Sequence, residues 1–176
     1  MLKELKVKKA IKGDEKAFID LIEQQKEKLY KIAYAYVKNE QDALDIVQET
    51  VYKAYVSIDS LKNPKYFNTW LTRILINISI NMLNKNKKVV YLEEETLMED
   101  STTMCSSEDK LDILEELNKL DEKYRDVIIL KYFDDLTVNE IARVLEIPIG
   151  TAKTYLNRGL SRLRISMGKE KFWYEQ

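Results

Sequence analysis

With 176 residues, 34 % of them charged and 45 % hydrophobic, but only four Gly and two Pro, the chain has the composition of two small all-helical domains, because sheets and their tight turns need more Gly and Pro. The absence of His and the single Cys105 exclude His-based triads, His-ligated zinc, disulfide frameworks and CxxC motifs, and point to a reducing, cytoplasmic setting. The net charge of −1 is a cancellation: residues 1–88 carry 17 Lys/Arg against 11 Asp/Glu (+6), residues 89–116 carry Lys110 alone against ten acids (−9), and residues 117–176 carry 11 against 9 (+2).

Residues 2–12 predict a short helix ending at Gly13, with Asp14 as the next N-cap. The start has no continuous apolar core of a signal peptide, and no stretch approaches the roughly 18–20 residues of a membrane span, so no membrane insertion is expected. From Glu15 to Val37 the sequence predicts one long helix, whose stripe is Phe18, Leu21, Ile22, Leu29, Ile32, Ala33 and Tyr36. Asn39 to Asp42 read as a cap and new start, followed by a stripe of Ala43, Leu44, Val47, Val51, Ala54 and Tyr55. Asp59 to Pro64 reads as a loop in which Asn63 caps and Pro64 takes the first helical position; helix then resumes near Lys65 and runs to about Asn84. These four helices form a first domain over residues 1–86.

Residues 87–107 lack an apolar period and concentrate Glu93, Glu94, Glu95, Glu99 and Asp100, which predicts a flexible acidic linker that could simply hold two domains apart. A second domain over 108–176 follows. Leu111, Leu114, Leu117 and Leu120 share one face, and Asp121 caps a helix carrying Val127, Ile128 and Leu130. Thr137-Val138-Asn139-Glu140 is a capping-box pattern that opens a helix through Leu145. After the break at Glu146–Gly150, a helix runs from Thr151 to about Ser166.

This last pair of helices is a helix-turn-helix candidate. On its second helix Ala152, Tyr155, Leu156, Gly159, Leu160 and Leu163 fall inward, and Gly159 permits close approach of a neighbouring helix. Thr151, Thr154, Arg158 and Arg162 fall outward, flanked by Lys153, Asn157, Ser161 and Arg164. Arg suits guanine edges, and Thr and Asn suit phosphates or other base edges; the bland alternative is a solvated basic face. In the first domain, Tyr66, Phe67 and Trp70 lie beside a loop with Ser60, Lys62 and Asn63, and Asn77 and Asn81 follow one turn apart. Rings beside amides and lysines suit unstacked bases, although Phe67, Trp70 and Ile74 also fit an ordinary apolar stripe.

These segments resemble a known family. Asp42-Ala43-Leu44-Asp45-Ile46-Val47-Gln48-Glu49 and Phe67-Asn68-Thr69-Trp70-Leu71-Thr72-Arg73-Ile74 with Asn77 resemble regions 2.2 to 2.4 of the extracytoplasmic-function (ECF) sigma factors, and Leu117–Arg158 resembles their region 4. The stretch from Tyr36 to Glu49 is most similar to the SigV-like branch. The resemblance implies a non-enzymatic, cofactor-free subunit that gives bacterial RNA polymerase core its promoter specificity, in an envelope stress response. It implies that Asp42, Asp45, Gln48 and Glu49 dock on the polymerase clamp. It implies that Ser60, Leu61, Lys62, Asn63, Tyr66, Trp70, Arg73 and Asn77 contact the −10 strand and hold a flipped base. Thr151, Lys153, Thr154, Asn157, Arg158 and Arg162 would then read the −35 element. The acidic linker would thread towards the RNA exit path, and an anti-sigma factor, usually membrane-anchored, would cover both DNA-binding surfaces.

The sequence departs from the family pattern at three places. Asn81-Met82-Leu83-Asn84 leads to Lys85, Lys87 and Lys88 where many members place Arg, Ala152 stands at a commonly β-branched position, and Gly159 replaces a usual Ala. A stand-alone helix-turn-helix regulator is the alternative, with the first four helices serving dimerisation or sensing. An enzyme has little to work with: Asp42 and Asp45 share a helix face, but a metal site needs further oxygen ligands.

Overall fold

The computed structural model describes residues 2–90 and 108–167, with only the backbone at 86–90 and 108–112. The described residues are helical with no strand, and the chain divides into two compact units, one formed by residues up to Asn84 and the other built on the helices after the acidic segment.

In the first unit α1 spans Leu2–Ile11, α2 Glu15–Glu23, α3 Lys26–Val37, α4 Glu40–Ser57 and α5 Phe67–Val90. The α1–α2 corner forms as its sequence predicts. Gly13 takes φ +92°, a conformation that favours a residue without Cβ, and the Asp14 carboxylate accepts from the Ala17 amide at 3.0 Å. Asn39 caps α4 in the same way, accepting from the Asp42 amide at 2.9 Å. Leu21, Ile32, Tyr36, Ile46, Phe67, Leu71 and Leu75 form the centre of the core, where α3 packs on α4 and α1 on α2.

Three expectations need correction. The long helix from Glu15 to Val37 is two, parted by a tight turn at Gln24 and Gln25 in which the Gln25 amide donates to the Ile22 carbonyl (2.8 Å). The six polar residues Glu23–Lys28 leave no apolar group to hold a continuous helix against the core there. The unit therefore has five α-helices where four were expected. The inward stripe of α4 is Ala43, Ile46, Val47, Thr50 and Ala54, while Leu44 and Tyr55 are 45 % and 48 % exposed. Thr50 enters this stripe because its hydroxyl donates back to the Ile46 carbonyl at 2.7 Å, satisfying a polar group in an apolar place. Finally, Asn63 and Pro64 open a 3-10 turn over Pro64–Tyr66, with the Lys65 amide donating to Asn63 Oδ1 at 3.1 Å; the α-helix starts at Phe67 and continues to Val90, six residues past the expected end.

The second unit contains α6 (Glu108–Lys119), α7 (Glu122–Tyr132), α8 (Val138–Val144) and α9 (Ile149–Ser166). Helix α7 is its spine: every residue from Tyr124 to Leu130 is buried. Arg125 and Asp126 are buried side by side, with Nε and Oδ1 3.6 Å apart. The capping box closes reciprocally. The Thr137 amide and hydroxyl donate to Glu140 Oε2 at 2.9 and 2.7 Å, and the Glu140 amide reaches the Thr137 hydroxyl at 3.3 Å. Helix α9 begins at Ile149, two residues before the expected Thr151, with Pro148 fixing the entry. The expected linker lies almost wholly outside the described residues, as do Cys105 and the Leu111 side chain.

Candidate nucleic-acid interfaces

The turn between α8 and α9 is the four residues Leu145–Pro148. Glu146 takes φ +53° and the Ile147 amide donates to the Ala142 carbonyl at 3.0 Å, a left-handed stop that reverses the chain. Helix α9 then divides as its sequence predicts. Ala152, Gly159 and Leu163 are buried, Tyr155, Leu156 and Leu160 are half-buried, and Lys153, Thr154, Asn157, Arg158, Ser161 and Arg162 are exposed. Gly159 makes the seating possible. A Cβ there would lie 2.9 Å from Ile128 Cδ1, 3.2 Å from Tyr124 Cβ and 3.3 Å from the Tyr124 carbonyl oxygen. The side chain that is missing at 159 is thus the space into which α7 fits.

The outward residues are not equivalent. Arg162 Nη1 donates to Asp121 Oδ2 at 2.9 Å, and its guanidinium lies 4.5 Å from the centroid of the Tyr124 ring, which in turn meets the Tyr155 ring edge-on at 5.6 Å. Asp121 stands at the N-cap of α7 as expected, but its carboxylate makes no cap bond and holds Arg162 instead. The Thr154 hydroxyl turns back to the Gly150 carbonyl (2.9 Å), so Lys153, Asn157 and Arg158 are the long donors presented outward. Thr151 is half-buried in the first turn of α9.

In the first unit the residues expected at the −10 strand separate into groups. Ser60, Lys62 and Asn63 are exposed on the loop, with the Ser60 hydroxyl tied to the Ser57 carbonyl at 2.6 Å. Tyr66 is 40 % exposed; Trp70 and Arg73 are half-buried, Trp70 with its ring 6.0 Å from the buried Phe67. Leu61 differs from them in burial. It is only 7 % exposed and anchors the loop in the core, as an aliphatic side chain between polar neighbours will. Asn77 is exposed, and its surroundings come from α4: Tyr52, Lys53, Val56 and Ser57 line a groove of about 410 Å³ with Asn77 and Asn81.

Of the residues expected at the polymerase clamp, Asp45, Gln48 and Glu49 are exposed on α4, and Asp42 is half-buried in its first turn. Gln41 donates to Asp45 at 3.3 Å, and Lys53 pairs with Glu49 at 2.7 Å. Gln48 also borders an apolar groove of about 610 Å³ between α2 and α4, with Ile19, Val51, Tyr52 and Tyr55. The Tyr55 hydroxyl donates to Glu15 at 3.0 Å, and this bond to the carboxylate raises the phenol pKa above its ordinary value. The sequence reading missed this groove because it assigned Tyr55 to the core; the exposure of Tyr52, Tyr55 and Val56 shows only once α4's true stripe is known. Among the described residues no group of three metal-ligating side chains gathers, and no helix is long and apolar enough to cross a membrane.

A helix-turn-helix unit with an outward donor row, in one chain with a second helical unit that carries a polar groove, fits a class of DNA-binding regulatory proteins. The sequence matches Sigma-70 region 2 over residues 21–89 and Sigma-70 region 4 over residues 110–163. It is 39 % identical over 179 residues to the ECF RNA polymerase sigma factor SigW of Bacillus subtilis, covering 93 % of this chain and 96 % of the relative. With the RNA polymerase sigma factor SigV of the same organism it shares 37 % identity over 152 residues, 86 % and 92 % of the two chains. The fold is that of the sigma factor RpoE, solved in complex with the anti-sigma factor NepR from Bartonella quintana: the TM-score is 0.73 at 23 % identity, covering 86 % of this chain and 99 % of that one. The chain belongs to the sigma-70 family as an ECF sigma factor, the promoter-specificity class of RNA polymerase subunit. Two sigma modules in one chain disfavour a stand-alone regulator.

Proposed function

We propose that this sigma factor divides promoter recognition between its two units, with residues 1–86 reading the −10 strand and residues 108–176 reading the −35 duplex, while residues 87–107 connect them. The observation that carries this division is the chemical difference between the two exposed surfaces. Helix α9 presents Lys153, Asn157 and Arg158 on one projecting face, a shape suited to a major groove. The first unit presents Ser60, Lys62, Asn63, Tyr66, Trp70, Arg73 and Asn77 around a loop and a groove, with rings and carboxamides suited to unpaired bases. The exposed Asp45, Gln48 and Glu49, with Asp42, form the polymerase-facing stripe of α4.

In this reading the protein performs no bond chemistry itself; it acts in the cytoplasm by placing the polymerase, under an envelope stress response. An anti-sigma factor that occupies the DNA-facing surfaces is its natural antagonist, as RpoE is held by NepR in the solved complex. Purified protein mixed with bacterial core polymerase should start transcription selectively at promoters bearing both elements. Scrambling either element should lower initiation separately, and initiation indifferent to both would overturn the division.

A further inference from the structure

Helix α1 packs against α2 and the 3-10 turns at Ile58–Ser60 and Pro64–Tyr66, and it buries Val7 and Ala10. With that side turned inward, the helical period puts Leu2, Leu5 and Lys9 along one outward line, with Lys8 beside it. Lys12, exposed just past the helix end, extends the line. Leu2 is 87 % exposed and Leu5 54 %, a combination that the core of this unit does not use. Residues 2–12 carry five lysines against one acid, the half-buried Glu4. Lys6 is held by Asp20 at 2.9 Å, but among the described residues no ion pair engages Lys8, Lys9 or Lys12. Helix α3 adds to this charge: burial, and then the nearby Lys28 ammonium, lower the Lys3 pKa from its ordinary value.

We propose that this face of α1 binds an anionic lipid surface, with Leu2 and Leu5 entering the headgroup layer and Lys8, Lys9 and Lys12 meeting its phosphates. The pairing of residue types selects the occupant. Exposed leucines give nothing to a phosphate backbone, and the line offers no ring or carboxamide to a base, so nucleic acid would use the lysines alone. A bilayer surface uses both. Its shallow apolar layer takes the leucines, while the long lysine stems keep their ammonium groups at headgroup level. At ten residues α1 is long enough to rest on such a surface and far too short to cross it. Few groups take part, so the contact is weak, reversible and sensitive to salt. It concerns α1 only and stands apart from the reading of the −10 interface.

The test uses the full chain, mixed with vesicles of phosphatidylglycerol and phosphatidylcholine in equal parts or of phosphatidylcholine alone. Bound protein is measured by co-sedimentation. Binding is expected to the mixed vesicles only and should fall as salt rises. The double variant Lys9→Gln/Lys12→Gln should weaken it about 10- to 30-fold, from roughly fivefold per lysine. Leu2→Gln/Leu5→Gln should weaken it by about tenfold or more. All four side chains are exposed, so thermal unfolding should not shift in either variant. Absence of binding to the mixed vesicles, or binding that both variants keep, would overturn the proposal, the second by placing the contact on another basic surface. Promoter binding by holoenzyme reconstituted from each variant separates lipid from DNA. If the lysine variant weakens promoter binding and the leucine variant leaves vesicle binding unchanged, the face serves polyanions such as nucleic acid and the lipid assignment falls.

Discussion

The outward face of α9 and the surface around α5 are both proposed to meet promoter DNA, yet they are built differently. The α9 face is one helix deep, convex and cationic, and its residues recur every three or four positions. The α5 surface is concave, sets Lys53, Lys62 and Arg73 among rings and carboxamides, and is assembled from a loop and two helices. A duplex groove needs a projecting rod with long donors, whereas an unpaired base needs a recess with a ring and amides. On the proposed reading, the form of the DNA, paired or melted, is matched by the shape of each surface more than by its charge.

The largest effect is expected at Arg158, one of three long donors of α9 that no hydrogen bond or ion pair engages among the described residues. Arg158→Ala should cost about 1–3 kcal/mol of promoter binding by holoenzyme if it reads a base, and the loss should vanish on a scrambled −35 element. A loss equal on all sequences, with a shallower salt dependence, would assign it to phosphate. Full retention of affinity would remove α9 as a reading face.

The seat of α9 comes next. Gly159→Val should lower the stability of the second unit by about 1–3 kcal/mol, seen in thermal unfolding, because its side chain must displace Tyr124 backbone as well as Ile128. Gly159→Ala should cost less, since about 1 kcal/mol of helix propensity offsets part of the crowding. An unchanged melting curve for the Val variant would mean that α7 and α9 can separate freely.

Thr137→Ala removes the two hydroxyl bonds of the capping box ahead of α8 while keeping the residue-137 amide that donates to Glu140, and should cost about 0.5–2 kcal/mol. Promoter selectivity should be kept, because the cap supports the scaffold and not the contact.

The smallest effect is expected at Arg162. Its exposed pair with Asp121 belongs to a class that contributes about 0.2–1 kcal/mol. Arg162→Ala should therefore weaken promoter binding less than Arg158→Ala, in parallel titrations of the two holoenzymes. Asp121→Asn should release the guanidinium and steepen the salt dependence of binding; an unchanged slope would show that Arg162 stays on Tyr124 without the carboxylate.

The same contrast explains how much could be seen in the sequence. The α9 face was legible because one helix carries all of it: the positions 152, 155, 156, 159, 160 and 163 separate from 154, 158 and 162 by period alone. The caps at Asp14, Asn39 and Thr137 were legible because each acts within three residues. The α4–α5 groove was not, because Tyr52 and Asn77 meet only through the packing of two helices. The burial of Leu61 was hidden for the opposite reason: a motif groups it with the loop's contact set, while its own side chain packs in the core. Arg162 likewise has the right residue type and period for a contact, and only the approach of Asp121 from α7's start shows that it is engaged within the unit.

The proposed division of labour has one surface reading melted DNA and the other reading duplex. It is tested most directly by titrating holoenzymes carrying Asn77→Ala or Arg158→Ala with two probes: a −10 single strand and a duplex bearing only the −35 element. A crossed result is expected, in which Asn77→Ala loses affinity for the strand alone and Arg158→Ala for the duplex alone. Equal losses of both variants on both probes would contradict it.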